Sequence, residues 1–144
     1  MKSLDTNILL YGANEDCKEH AAAAAIIEEA LQAPHDWIIA DQVLFEFYRA
    51  IRHPSVVSKP LSAAEATKRI TFLREESGFS FCCHELRNWP DIRRSLARPS
   101  FPQRSTHDLV LGVTLRKNGV TTFYTRNVKD FRDTGFTQLI NPID

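Results

Sequence analysis

The chain has 144 residues, 43% of them hydrophobic and 25% charged, the composition of an ordinary globular domain and not of a disordered or fibrous protein. Eighteen Lys and Arg balance eighteen Asp and Glu, so no overall positive field draws in nucleic acid or an anionic membrane, and any polyanion has to be held by a local patch. The odd set of three cysteines, Cys17, Cys82 and Cys83, has no Cys-x-x-Cys spacing and fits a reduced cytoplasm better than a disulfide framework.

Residues 1 to 4 read as a short strand that runs into Asp5-Thr6-Asn7, three polar residues able to cap a helix through Ile8-Leu9-Leu10-Tyr11. A second helix is expected over 16 to 33, with Asp16 and Glu19 at capping-box spacing and Pro34 ending it. Trp37 to Ala40 reads as a buried strand, and Asp41 as the cap of a helix over 42 to 52. Ser62-Ala63-Ala64-Glu65 is a capping box whose helix carries Ala66, Ile70 and Leu73 on one face, with Gly78 beyond its end. A strand over 79 to 83, a helix over 86 to 97, a helix from Ser105 to Lys117 stopped by Asn118-Gly119, and strands over 120 to 124 and 138 to 140 complete the series.

Short apolar strands alternating with helices predict an α/β/α three-layer fold around a mostly parallel sheet of four or five strands. With no repeat, low-complexity tract or Gly/Ser linker, the chain is expected to form a single domain over 1–144. The start lacks an apolar signal core, and the longest apolar run, Ala21 to Ile27, is too short to span a bilayer. A cytoplasmic protein without membrane attachment is expected.

Ligands of open α/β sheets bind beyond the carboxyl ends of the strands. Asp5 follows the first strand directly, and Glu46 lies on the helix after the second. Asp5 can cap its helix and can also hold Mg²⁺ or Mn²⁺, because a hard cation needs carboxylate oxygens fixed by rigid elements. Glu46 interrupts an apolar stretch, Val43 to Ile51, where either a metal or Arg49 can neutralise it. Asp108 stands three residues after Ser105, so it can complete a capping box or face a metal from the first turn of its helix.

Other chemistries find less support. The glycines form no GxGxxG or phosphate loop, and GxSxG is absent. Cys82, Cys83 and His84 are consecutive on an expected strand, so their side chains alternate between faces and do not clasp one zinc ion. His107 and Asp108 are neighbours on a helix and do not face each other. Between Arg87 and Arg104 five arginines stand against one acid, Asp91; this cluster is either a solvated helix face or a track for a phosphate backbone.

Taken together, Leu4-Asp5-Thr6-Asn7-Ile8-Leu9-Leu10-Tyr11, Phe45-Glu46-Phe47, Thr106-His107-Asp108-Leu109 and the run Tyr124 to Phe131 resemble the PIN-domain family, and most of all its VapC-type ribonuclease toxins. The resemblance spans essentially the whole chain. It implies an endoribonuclease that binds Mg²⁺ or Mn²⁺ through Asp5, Glu46 and Asp108, with Thr6, Asn7 and Asn127 in supporting places. It also implies an RNA substrate whose backbone Arg93, Arg94, Arg98, Arg104 and Arg126 would hold, a small antitoxin as protein partner, and a homodimer. At the fourth acidic position the chain departs from many relatives: Thr125-Arg126-Asn127 offers an amide, which supplies an oxygen but no charge and weakens a second metal site, leaving one-metal and substrate-completed chemistry both open. The competing readings are a PIN-like module that binds RNA or protein without cutting, and a phosphatase with a nucleophilic Asp5. The latter lacks the second acid two residues on, where Asn7 stands.

Overall fold

A computed structural model describes residues 1–143. The strands are β1 (Lys2–Leu4), β2 (Ile38–Ala40), β3 (Ser80–Cys82), β4 (Thr122–Tyr124) and β5 (Gln138–Ile140). The helices are α1 (Thr6–Ala13), α2 (His20–Gln32), α3 (Asp41–Ile51), α4 (Ala63–Thr71), α5 (Trp89–Leu96), α6 (Thr106–Lys117) and α7 (Val128–Phe131).

All strand pairs are parallel, β1 with β4, β4 with β5, and β2 with β3. The strands form two ladders, β1-β4-β5 and β2-β3, joined by one parallel bridge between Lys2 and Trp37. Their spatial order is therefore β3-β2-β1-β4-β5. The expected parallel sheet is present, but its hydrogen-bonded continuity narrows to that single bridge in the middle. Helices α1 to α4 pack with one another, as do α5 to α7. Right-handed crossovers put these two groups on opposite faces of the sheet, which makes the three layers.

The elements follow from local chemistry. In α3, Val43, Leu44, Phe47 and Ile51 are buried, the spacing of one helical face turned to the core. In β4, Thr122, Phe123 and Tyr124 are all buried, as expected of a central strand covered on both sides. Phe123 is fully buried between Phe131, edge-on at 5.0 Å, and Phe136, stacked at 5.1 Å, a placement that stabilises by about 1.5–3 kcal/mol. Trp37 stacks on Tyr124 at 5.5 Å, packing β2 against β4 across the end of β1. Gly112 allows α6 to approach the turn after α7, since a Cβ there would lie 2.7 Å from Thr134 Cγ2.

Three local expectations are corrected. The capping box at Asp16 and Glu19 does not form: α2 begins at His20 without a side-chain cap, and Asp16 instead accepts a hydrogen bond from Ser58 at 2.8 Å. The box at Ser105 and Asp108 also fails, because Ser105 makes no side-chain cap bond and a tight turn over 103–105 precedes the helix. Asp41 is the first residue of α3 and not its cap, and it pairs with Arg74 at 2.9 Å. The box at Ser62 and Glu65 forms in both directions. No helix among the described residues is long and apolar enough to cross a membrane.

Candidate active site

The parallel strands direct their carboxyl ends to one edge, and Asp5 stands there between β1 and α1. Its backbone N–H donates to the carbonyl of Tyr124 at 2.9 Å, extending the β1-β4 ladder into the turn. Its Oδ1 accepts from the Thr6 N–H at 2.8 Å, so Asp5 is the N-cap of α1. Its Oδ2 accepts from Thr125 Oγ1 at 2.8 Å and from Asn7 Nδ2 at 3.4 Å. Capping and site roles thus use the same carboxylate, and only 7% of the residue remains exposed. Burial pushes its pKa up to about 6, against the lowering effect of the Thr125 and Thr6 hydrogen bonds, and the charges of Asp108 and Glu46 push the same way as burial.

Glu46 reaches the site from α3. Its Oε2 accepts from Thr6 Oγ1 at 2.8 Å, and its Oε1 from Gln42 Nε2 at 3.3 Å. The polar contact falls to Gln42 and Thr6 and not to Arg49, because α3 turns its exposed face to this edge. Gln42 Nε2 also donates to the carbonyl of His107 at 3.3 Å, which ties α3 to the first turn of α6. Asp108, in that turn, has a pKa raised by burial, then by Asp130 and Glu46, with His107 acting against them.

The structure therefore brings Asp5, Glu46 and Asp108 into one electrostatic field, and it adds Asp130 from α7. Asn127 precedes α7 without capping it through its side chain, while its backbone N–H donates to Thr125 Oγ1 at 3.0 Å. Asn7 joins the two turns, its Oδ1 accepting from the Arg126 N–H at 3.2 Å. Three contributors were not singled out from sequence: Thr125, Gln42 and Asp130. Gln42 stands at i,i+4 spacing from Glu46 and Asp130 three residues after Asn127, the two visible hints, whereas the bonds from Thr125 to Asp5 and from Gln42 to His107 span 120 and 65 positions.

The arginines divide. Arg93 and Arg94 are exposed on α5, Arg98 follows it, and Arg104 lies in the turn before α6. Arg94 pairs with Asp91 at 3.2 Å. Arg126 is engaged with the fold: its guanidinium lies 5.5 Å from the Tyr11 ring, bonds the Tyr11 hydroxyl, and approaches Glu19 at 3.8 Å. Cys82 is buried and Cys83 exposed, the alternation expected of a strand end, and burial pushes the Cys82 thiol up to about 12.

All the acids offer hard oxygen donors. A buried carboxylate pressed by two others of like charge is the arrangement that a divalent cation relieves. Among the described residues no three His, Cys, Asp or Glu side chains close on a single point. Mg²⁺ is ordinarily held by one or two carboxylates together with waters and substrate phosphates, a demand that Asp5 and Asp108 can meet.

The PIN domain model matches residues 3–137. Ribonuclease VapC24 of Mycobacterium tuberculosis is 38% identical over 99% of this chain and 97% of its own length. Among solved structures, M. tuberculosis VapC20, described as a Sarcin-Ricin loop cleaving toxin, superposes with a TM-score of 0.69 at 16% identity over 94% of this chain and 96% of that one. VapBC2 from Rickettsia felis, bound to a DNA fragment from its promoter, superposes with a TM-score of 0.66 at 17% identity over 97% of each chain. A family model that covers most of the chain and a relative 38% identical along its whole length show that this chain belongs to the PIN-domain family.

Proposed function

We propose that the protein is a divalent-metal-dependent endoribonuclease acting as the toxin of a toxin-antitoxin pair. The observation that carries this reading is the placement of Asp5, Glu46 and Asp108 at the carboxyl edge of the sheet, where burial raises the pKa values of Asp5 and Asp108 and the charges of Asp108 and Glu46 push on Asp5, those of Asp130 and Glu46 on Asp108. The similarity to Ribonuclease VapC24 along the whole chain supports RNA as the substrate.

Mg²⁺ or Mn²⁺, when bound, supplies Lewis acidity at the phosphoryl group and a more acidic water. Asp5 and Asp108 would hold the ion, and Glu46 would join them directly or through water. Thr125 and the Thr6 N–H fix the Asp5 carboxylate, so that its oxygens do not have to reorganise as charge develops on the phosphate. Gln42 holds Glu46 and the first turn of α6 together. Asn127 supplies an amide where many relatives have a carboxylate, which favours a one-metal site, with Asp130 adding charge nearby. Arg93, Arg94, Arg98 and Arg104 would grip the flanking RNA backbone.

The protein partner in this reading is a small antitoxin that covers the acidic edge, and the toxin forms a homodimer. The similarity to VapBC2 from Rickettsia felis supports the antitoxin partner. Purified protein incubated with a mixed panel of structured and unstructured RNAs tests the nuclease reading: discrete cuts in Mg²⁺ or Mn²⁺ that vanish in EDTA are expected, and cutting that persists in EDTA contradicts it.

A further inference from the structure

The outward face of α5 carries an aromatic ring that the core does not use. Trp89 and Arg93 stand at i,i+4 spacing, with Leu96 one turn beyond, so the three form a single stripe. Leu86 precedes it in a tight turn over 86–88. Trp89 is 46% exposed and Leu86 84%. Asn88 and Ile92 beside them are buried, and Pro90 fixes the second helical position, so the indole sits on an anchored, rigid helix start. Isolated exposed apolar residues need no explanation, but three of the seven large ones among the described residues fall between 86 and 96.

The uncompensated charge around the stripe has one sign. Glu85 is taken up by Arg87 at 3.0 Å, and Asp91 by Lys117 at 2.9 Å and Arg94 at 3.2 Å. Arg93, Arg98 and Arg104 are exposed and pair with no acid among the described residues. The Asp91–Lys117 pair also locates the stripe. It sets the start of α5 beside the end of α6, and Asp108 lies nine residues back along that helix, about 13 Å at 1.5 Å per residue. Arg98 and Arg104 belong to the chain between α5 and α6, so unpaired cations lie on the segment that links the indole to the acid-bearing turn.

We infer that Trp89 is a stacking platform for a base of single-stranded RNA remote from the scissile phosphate, with Arg93 on the adjoining backbone. A flat aromatic face among unpaired cations suits a single strand, because every base has a π-face and every phosphate a charge to neutralise. A duplex keeps its base faces stacked inside and offers the indole none. A second copy fits the stripe poorly, because a symmetric contact would bring the arginines of both copies together with no acid to answer them. The inference deepens the ribonuclease reading and rests on it for the class of ligand.

Trp37, the other tryptophan of the chain, is 1% exposed, so quenching of tryptophan fluorescence by RNA reports Trp89. Single-stranded oligoadenylate added to wild type in EDTA should quench it, and a blunt RNA duplex much less. Trp89→Ala should weaken oligoadenylate binding by about 5- to 100-fold with the melting temperature nearly unchanged. It should leave the slope of log affinity against log salt as it was, because a stacked ring releases no counterions. Trp89→Phe should keep most of the affinity, and Arg93→Ala should lower the slope by about 0.7. No quenching, or Trp89→Ala binding like wild type, would overturn the inference. A lower molecular mass of Trp89→Ala in sedimentation would overturn it too and give the face to a second copy. If RNA is cut without these effects, the platform falls and the nuclease reading stands. If they appear while no RNA is cut, the platform stands and the nuclease reading falls.

Discussion

Thr125 and Asp5, separated by 120 positions in the chain, are joined by a hydrogen bond of 2.8 Å from the Thr125 hydroxyl to the Asp5 carboxylate in the interior. The same hydroxyl accepts from the Asn127 N–H at 3.0 Å. The turn after β4 thus fixes both the acid that follows β1 and its own continuation into α7.

Replacing Thr125 by Val keeps the shape and removes both bonds. Loss of a donor to a buried carboxylate should cost about 1–3 kcal/mol of stability, read by urea denaturation. It should also raise the Asp5 pKa further, because that hydrogen bond lowers it. The acid limb of the activity profile should therefore move to higher pH, a shift that simple loosening of the fold does not produce.

Asp5 itself should weaken the metal-free protein at neutral pH. Its carboxyl is raised from 3.8 to about 6 in the folded state, so between those values the folded chain holds a proton that the unfolded chain has released. Stability from this group falls as pH rises through that window, and above it the penalty is complete at about 2–3 kcal/mol. Asp5→Asn is expected to melt higher than wild type at pH 7 in EDTA, to match it near pH 4, and to lose RNA cleavage. Mg²⁺ should stabilise the wild type and leave the variant unchanged. Equal melting temperatures at pH 7 would contradict the assignment of Asp5 as a carboxylate strained by burial.

Gln42 touches no reacting atom in this account and acts by positioning Glu46 and the start of α6. Gln42→Ala should reduce metal affinity or turnover by about 10–100-fold, the range for residues that orient metal ligands, with the melting temperature nearly unchanged. A loss confined to RNA affinity would place it in substrate binding instead.

If the exposed Arg98 and Arg104 contact RNA phosphates, each substitution by Ala should weaken binding across unrelated sequences. Each should also reduce the slope of log affinity against log salt by about 0.7, the value for one contact to a single strand. Arg126→Ala should act chiefly on stability, because that guanidinium is engaged with Tyr11 and Glu19.

β2 was legible as a wholly apolar run and β3, β4 and β5 as short stretches with apolar or aromatic residues, and Asp5 stood out as an acid between a strand and an apolar helix. Glu46 and Asp108 were recognisable through the ordered motifs around them. Local capping rules succeeded at Ser62, where nothing competes, and failed at Asp16, whose carboxylate is drawn to Ser58 across 42 positions. They failed again at Ser105, where a tight turn sets the entry to α6. Thr125 was invisible for the same reason, since its bond to Asp5 spans 120 positions; Gln42 stands at i,i+4 spacing from Glu46, but its bond to the His107 carbonyl exists only in the folded topology. The thin join between β1 and β2 was equally hidden, since nothing in either short segment marks how far their pairing extends.

A carboxylate cluster containing Asp108 is expected to cut RNA with the help of a divalent cation. The most direct test compares wild type and Asp108→Asn, prepared identically, on one RNA panel in Mg²⁺, in Mn²⁺ and in EDTA. The account predicts discrete cleavage by wild type in either metal and none in EDTA, with the variant slower by at least about 100-fold, above the usual effect of residues that merely orient metal ligands. Equal cleavage by Asp108→Asn, or cleavage indifferent to EDTA, would contradict it.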